Sequence, residues 1–383
     1  MNPRTLINVT VRASTGGLQP KQIGAPCVFV SHSDVIKTGD QGTPKVAAKT
    51  LNSYSSLTDL SVDVSDSTQA YYSAVRWFGN AGGTLNVYFV DNAAETPQTV
   101  PDAYADAVKK FAKNKLDFFV YWCSKDFIDE DSVQGIAALV AAERVFMASI
   151  TDTKIAAKID SNDHVHFNFI DADDVADDPA NHYAVGGIAA LASQVDYQGT
   201  GTAVTLEYKT INGQASSGLE PDEIKALNSA KISYVTNVGA DEGVLLNTLT
   251  TKSGVYIDDV YNISALANVM QVNVYNKFRR APTKLGLTEN GYQKLIDVGS
   301  QTCQQFNRNG VLGGGRDNDI AGMALTDADR IQWRTAGYIS LSKKEDMRNL
   351  PDSDVSARKF LPLNYKVNLS RAGHTIDVDI EVI

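Results

Sequence analysis

The segment Asn364-Tyr-Lys-Val-Asn-Leu-Ser-Arg-Ala-Gly-His-Thr-Ile-Asp-Val-Asp-Ile-Glu-Val-Ile383 decides how the rest of the chain is read. Ile376, Val378, Ile380 and Val382 alternate with Asp377, Asp379 and Glu381, the period-two pattern of a strand with one apolar and one charged face. Tyr365, Val367 and Leu369 form an earlier alternating run. Between the two, Ser370-Arg371-Ala372-Gly373 supplies a turn in which Gly373 is free to take a positive φ. The spacing predicts a hairpin running to the last residue.

Near the other end, Ile7, Val9 and Val11 alternate with Asn8, Thr10 and Arg12 ahead of Gly16-Gly17 and Pro20. Both ends therefore read as extended arms. A strand at an edge leaves backbone N–H and C=O groups that will pair with something. Either the two ends pair with each other, or each adds to a neighbouring copy. The second alternative would make the chain a subunit of a larger assembly.

At 383 residues the chain is long enough for two domains with full-sized cores. Its 35 basic and 45 acidic residues give a net charge of −10, which argues against a nucleic-acid partner, because phosphate neutralisation needs clustered Lys and Arg. Cys27, Cys123 and Cys303 are far apart with no CxxC spacing, so they read as reduced core residues, not as a disulfide framework or zinc site. Met1-Asn2-Pro3-Arg4 leads into alternating residues, so no secretory leader is expected and synthesis is expected to leave the product in the cytosol. The most apolar windows, Ile136–Ala142 and Ala184–Val195, fall short of the roughly twenty residues that span a bilayer, and no membrane insertion is expected.

Taken in order, Cys27–Val30 reads as a strand and Val35–Thr58 as a connection. Tyr71, Tyr72, Val75 and Phe78 fall at helical spacing, and Gly79 with Gly82-Gly83 ends that helix before a strand over Leu85–Val90. The helix-to-strand step repeats through Tyr104–Lys113 and Phe118–Trp122, then through Val133–Ala142 and Val145–Ile150. Such alternation predicts an α/β layer. A strand over His164–Ile170, an acidic loop over Asp171–Pro179, a small-residue helix over Tyr183–Ser193 and a β-like run over Val204–Lys209 follow.

Gly213–Gly218 reads as a linker, and Pro221-Asp222-Glu223 opens a helix through Leu227, so a domain boundary is expected near residue 220. Beyond it come strands over Ile232–Val238 and Val255–Asp258, then long helices over Ser264–Arg279 and Glu289–Arg308. Gly313-Gly314-Gly315 can only be a mobile or tightly turned loop. A short helix over Asp327–Arg334 and a strand over Gly337–Ser342 lead to the terminal hairpin. The fold class is α/β in the broad α+β sense. The expected division is an N-terminal arm, residues 1–25, an inserted α/β domain, residues 26–220, and a C-terminal part of mixed sheet and helices that the N-terminal arm joins, residues 221–383, whose terminal arm is 364–383.

Candidate chemistry is sparse. His164 and His166, at i and i+2 on one predicted strand, could join His182 and the run Asp171, Asp173, Asp174, Asp177 and Asp178 in a metal site. That run lacks the ordered spacing and central glycine of an EF-hand loop, so a solvated loop with helix-capping aspartates fits it better. The Gly313–Gly315 loop carries Arg316 but no Gly-Lys-Ser/Thr, which excludes the usual phosphate cradle. Ser193, Ser216 and Ser300 lack the flanks of a nucleophile elbow. Trp77, Trp122 and Trp333 read as core or interface residues. No catalytic residue, metal or cofactor is expected.

The order of segments resembles that of the tail sheath proteins of contractile bacteriophages, with relatives in R-type pyocins and type VI secretion systems. The small-residue stretch Ala184–Ser193, the helix Glu220–Ser229, the asparagine-bearing strand Lys231–Gly239 and the glycine-bearing strand Gly254–Asp258 are similar to successive family segments. So are a helix with a paired-arginine end, Asn268–Arg280, and one ending in Phe-Asn, Gln293–Asn307. The closing pattern is matched by Asp352–Arg358, Asn364–Leu369, Ala372-Gly373 and Thr375–Ile383. Gly373-His374-Thr375 stands where the family usually has Gly-Ala-Ile, and a tryptophan common before the paired arginines is absent.

The resemblance implies a non-enzymatic structural subunit that polymerises with itself as stacked hexameric rings around a tail tube and contracts to drive the tube through the host envelope. Implied partners are further copies, the tail tube protein, and baseplate and tail terminator proteins, with no cofactor. The implied location is the virion tail, after assembly in the host cytoplasm. Ile7, Val9, Val11, Ile376, Val378, Ile380 and Val382 would form the arm strands shared between subunits, and Arg330 and Arg334 would face the tube. Another tail or baseplate structural protein, or an α/β enzyme with its site at the carboxyl ends of its strands, are the alternatives.

Overall fold

Why the middle of the chain forms a wide sheet is visible in its central strands, which are mostly apolar and buried along their whole length, not merely at alternate positions. The computed structural model describes residues 6–9, 24–38, 42–80, 82–113, 117–129, 132–133, 144–238, 241–246 and 249–371. In chain order the strands are β1 (Leu6–Val9), β2 (Pro26–Ser31), β3 (Lys37–Thr38), β4 (Thr43–Pro44), β5 (Leu51–Tyr54), β6 (Leu85–Val90), β7 (Val120–Cys123), β8 (Val145–Ile150), β9 (Val165–Phe169), β10 (Ser233–Val238), β11 (Asp241–Leu246), β12 (Tyr338–Ser340) and β13 (Leu363–Val367). The chain divides into a larger unit, Gln19–Val195 with Leu206–Ser264, and a smaller one, Met1–Leu18 with Asp196–Thr205 and Ala265–Ile383.

The larger unit holds an eight-stranded sheet in the order β11-β10-β9-β8-β7-β2-β6-β5. From β6 to β10 all neighbours are parallel, while β5 and β11 close the edges antiparallel. Every residue of β2, β6, β7 and β8 is buried, as expected of parallel strands covered on both faces. Val28, Val30, Val87, Phe89, Trp122 and Met147 belong to the core on one face, which receives the helices Gln69–Gly79 and Ala184–Ser193. Cys27, Phe29, Tyr88, Tyr121 and Phe146 point into the opposite core, with the helices Val100–Lys113 and Pro221–Ala230. This unit is therefore a three-layer α/β structure.

The helix Ala184–Ser193 is nearly all small residues because it is buried almost all round. A Cβ on Gly187 would stand 2.5 Å from the Ile211 side chain, so only glycine lets the two approach. Beneath it Trp77 and Trp122 pack with ring centres 6.0 Å apart.

Several sequence expectations change here. Asp171–Pro179 is not a loop: Asp171 caps a short helix, Ala172–Asp177, and Asp178 caps the 3-10 turn that follows. Val204–Lys209 is no strand, since Tyr208 takes φ +66° and turns the backbone, although Tyr208 and Lys209 still bond to Leu245. Val255–Asp258 is not a strand either. Gly254 turns at φ +90° and Ile257 begins a helix reaching Arg280. The connection over Val35–Thr58 contains the edge strand β5, and β11 adds the other edge. The expected boundary near residue 220 falls inside the larger unit, because β10 pairs with β9 and β11 with β10. The expected helix Val133–Ala142 lies outside the described residues beyond Val133.

In the smaller unit the sheet order is β1-β13-β12, both pairs antiparallel. The helix Glu289–Asn309 covers it through buried Tyr292, Leu295, Ile296, Cys303 and Phe306. Thr288 caps its start and Gly310, at φ +97°, ends it, the left-handed position glycine favours. Residues 196–205 belong to this unit for a definite reason. The buried Asn309 amide donates to the Asp196 carbonyl at 2.7 Å and to Thr202 Oγ1 at 2.6 Å, and Tyr197 stacks on Phe306 with centroids 5.7 Å apart.

Candidate functional site

The arm pairing predicted from the alternating ends has a concrete form in the smaller unit. β1 lies on β13 with Leu6 opposite Lys366, Ile7 opposite Tyr365, Asn8 opposite Asn364 and Val9 opposite Leu363. β12 holds the other side of β13, with Tyr338 opposite Val367 and Ser340 opposite Tyr365. β13 alternates cleanly, with Leu363, Tyr365 and Val367 buried and Asn364 and Lys366 half-exposed. The Tyr365 hydroxyl donates to the Ile296 carbonyl at 2.5 Å, and burial pushes its pKa up. Beyond β13, Leu369 bridges to Leu312 and the Ser370 N–H donates to the Val311 carbonyl at 2.8 Å.

Of the predicted arm residues, then, Ile7 and Val9 sit on β13 of their own chain. Val11 and the four apolar residues of the last strand, Ile376, Val378, Ile380 and Val382, lie outside the described residues, as does the expected second half of the terminal hairpin.

Arg330 and Arg334 lie on the helix Asp327–Ala336, and the sequence explains its ends. Thr326 accepts from the Asp329 N–H while the Asp329 carboxylate accepts from the Thr326 N–H, and Gly337 closes the helix at φ +69°. Trp333 is its buried anchor, beside Ile320 and Ile339, and its indole N–H donates to the Arg316 carbonyl at 2.9 Å. A Cβ on Gly315 would overlap the Trp333 ring, and one on Gly314 the Arg334 carbonyl. The glycine run is thus a close fit against this helix, the tightly turned alternative of the two.

The two arginines are not equivalent. Arg334 holds Asp317 through two bonds of 2.7 Å, which lowers the Asp317 pKa. Arg330 is half-buried and reaches the Met323 carbonyl at 3.4 Å. Between them stands Ile331, 59 % exposed, a residue sequence reading passed over. It was findable. Two positions before Trp333 is about 200° around a helix, so burying the tryptophan turns the isoleucine outward.

In the larger unit the candidate metal residues do not gather: among the described residues no cluster of His, Cys, Asp or Glu has the arrangement of a metal site. His166 is fully buried, with Nδ1 2.8 Å from the Thr250 carbonyl and Nε2 3.1 Å from Ser233 Oγ. His164 and His182 are also buried. The place where a doubly wound sheet would bind a ligand, the carboxyl ends of β2 and β7 where the strand order reverses, is occupied by polar groups bonded to one another. Asp34 accepts from the Ala70 N–H at 2.9 Å. The Tyr183 hydroxyl donates to Gln69 at 2.7 Å and accepts from the Lys125 N–H at 3.0 Å. Among the described residues no helix is long and apolar enough to cross a membrane.

Residues 257–382 match the family model described as the C-terminal domain of E217 tail sheath protein gp31-like proteins. Similar folds occur in the anti-feeding prophage (AFP) baseplate, 6-fold symmetrised, at 12 % identity over 98 % of each chain with a TM-score of 0.65. They occur also in the AFP helical sheath in its contracted state, at 11 % identity over 100 % of this chain and 96 % of that one, TM-score 0.63. A third is the contracted PVC sheath complex of an extracellular contractile injection system, at 12 % identity over 97 % and 93 % of the two chains, TM-score 0.59. No match is found among functionally curated proteins.

Proposed function

We propose, for a chain that belongs to the contractile tail sheath proteins through its residues 257–382, that it is a self-assembling structural subunit of such a sheath. In this reading it forms stacked hexameric rings around a tail tube. The observation that carries the proposal is the pairing of Leu6–Val9 with Leu363–Lys366, because it completes a sheet within the family-matched segment using a strand from the far end of the chain. A strand delivered from so far along the chain can be exchanged. The same backbone bonds form whether it comes from the same chain or from a neighbour.

Strand addition of this kind keeps subunits linked through main-chain hydrogen bonds while the connecting segments change direction. An assembly joined in that way can pass from an extended to a contracted packing without coming apart, provided the second packing has the lower free energy. That would let contraction drive the tube through the host envelope with no fuel-binding site in the subunit. Ile7, Val9 and Val11 at one end and Ile376, Val378, Ile380 and Val382 at the other are assigned to the shared strands. The helix Asp327–Ala336, with Arg330 and Arg334, is assigned to the tube-facing surface. The partners are further copies, the tail tube protein, and baseplate and terminator proteins at the two ends. The role is structural and not enzymatic, in the virion tail after assembly in the host cytoplasm. A core domain of the N-terminal arm with the C-terminal segment would face the tube and the inserted α/β domain would face outward.

Negative-stain electron microscopy of the full-length chain, concentrated at moderate salt with and without preassembled tail tubes, tests the reading. Tubes or stacked rings wide enough to enclose an inner tube are expected. Discrete particles under both conditions would sink it. Single rings that never stack would point to a baseplate component instead.

A further inference from the structure

The helices Ile257–Arg280 and Glu289–Asn309 are joined in the smaller unit by an Asn273 amide that donates to Thr302 Oγ1 at 3.0 Å. Beside that contact lies an open groove of about 710 Å³. Lys277, Arg280, Lys284, Lys294 and Arg308 line it, and the rest of its lining is neutral, with no carboxylate. None of the five cations forms an ion pair among the described residues.

Part of this has a plain explanation. Lys277, Arg280 and Arg308 lie in the last turns of their helices, where a cation stabilises the helix dipole. That does not account for Lys284 and Lys294, nor for all five meeting at one opening in a chain whose net charge is −10. Five unpaired cations around one groove repel each other, and an anionic occupant would relieve that cost.

We propose that this groove binds the carboxylate face of Thr375–Ile383 from a neighbouring copy. Asp377, Asp379 and Glu381 stand at alternate positions of that segment, so in extended form they point to one side and span about 14 Å. Lys294 and Arg308 lie about 21 Å apart along their helix at about 1.5 Å per residue, room enough for the three carboxylates, with Lys277, Arg280 and Lys284 across the groove. The apolar face and the backbone edges of the same segment stay free for strand pairing. The inference rests on the arm reading above and adds a receptor for the charged face of the arm.

A fluorescein-labelled peptide of Thr375–Ile383, titrated into the full-length chain and followed by anisotropy, tests it. Binding is expected at low ionic strength and at least tenfold weaker at 0.5 M NaCl, since exposed charge pairs are screened. Lys294→Glu with Arg308→Gln should weaken it at least tenfold while the chain stays folded with at most a small drop in melting temperature, because both residues are exposed and only one helix-end cation is lost. A peptide with Asn and Gln in place of the three acids should not compete. Equal binding by the variant, equal binding of the neutral peptide, or binding of inorganic polyphosphate with none of the peptide would each overturn the proposal. Electron microscopy of the same variant and of a Thr375–Ile383 deletion separates the two readings. Loss of assembly in the deletion alone leaves the arm reading standing without the groove. Peptide binding together with normal assembly of the deletion leaves the groove without the arm reading.

Discussion

Ile7 and Tyr365 stand directly opposite each other in an antiparallel ladder, although almost the whole chain separates them in sequence. β1 contributes one side of β13, and β12 the other. Removing Asn2–Arg12 should therefore leave the smaller unit folded, because its helix Glu289–Asn309 and the β12–β13 pair remain, while β13 is left with an open edge. The expected product is a monomer with an unchanged far-ultraviolet circular dichroism spectrum that forms no polymers in the electron microscope. Polymers indistinguishable from those of the full chain would remove the N-terminal arm from the assembly mechanism.

Gly299 supports the same strand from below. A Cβ there would stand 2.5 Å from the Tyr365 hydroxyl and 2.6 Å from its ring, with Gly299 in the interior of a helix. Alanine would gain about 1 kcal/mol of helix propensity but would incur about 1–3 kcal/mol of overpacking. Gly299→Ala should thus be net destabilising in urea unfolding. Tyr365→Phe, which removes the bond to the Ile296 carbonyl, should cost about 1 kcal/mol. Because deleting the hydroxyl also clears the nearest atom, the double variant should lose less than the sum of the singles. Strict additivity would mean that Tyr365 does not pack against Gly299.

Acid should weaken the larger unit through two histidines, against a carboxyl that works in the other direction. Burial lowers the pKa of His166 and of His182 to about 4, so the unfolded chain takes up these protons first as pH falls through 6.5. Each histidine then withdraws on the order of 3 kcal/mol by pH 4. Burial raises Asp34 to about 6, so over pH 6 to 4 the folded state holds one proton the unfolded state lacks, a change of opposite sign. Two protons against one leave a net loss on acidification. His166→Gln should shrink the stability difference between pH 7.5 and pH 5 in denaturant titrations, and Asp34→Asn should enlarge it. An Asp34→Asn variant with an unchanged difference would show that this carboxyl is ionised throughout.

The parts of the fold legible in sequence were those where one local signal acted alone. Leu85–Val90 and Val145–Ile150 are apolar at five of six positions each, and the strands occupy the same residues. Thr288 and Gly310 mark the ends of Glu289–Asn309 through capping chemistry that needs no tertiary partner. Edge strands were harder. Leu51–Tyr54 and Asp241–Leu246 are held by neighbours already in the sheet, and such pairing outweighs weak propensity. Val204–Lys209 failed for the opposite reason, since a β-branched run cannot reveal that Tyr208 will take a positive φ. In the candidate site, the alternation of Ile7 and Val9 was readable but the identity of their partner strand was not, because it depends on contacts across the whole chain. The cations of the helix groove are spread over Lys277 to Arg308, and only the packing of two helices makes them one surface.

The surface assigned to the tube yields the last expectation. On the helix Asp327–Ala336 the exposed positions are Asp327, Ala328, Ile331, Arg334 and Thr335, one stripe at helical spacing with Ile331 at its centre. Arg334 is held in place by Asp317, so its guanidinium is pre-positioned beside the isoleucine, whereas Arg330 is turned partly inward. If the stripe docks on the tube, Ile331 is the apolar anchor and Arg334 the polar rim. Ile331→Asp should then leave the melting temperature unchanged, because the side chain touches little in the monomer, and should abolish co-sedimentation with preassembled tail tubes. Arg334→Ala should weaken co-sedimentation more than Arg330→Ala. Wild-type co-sedimentation by Ile331→Asp would move the tube contact to another face of the chain.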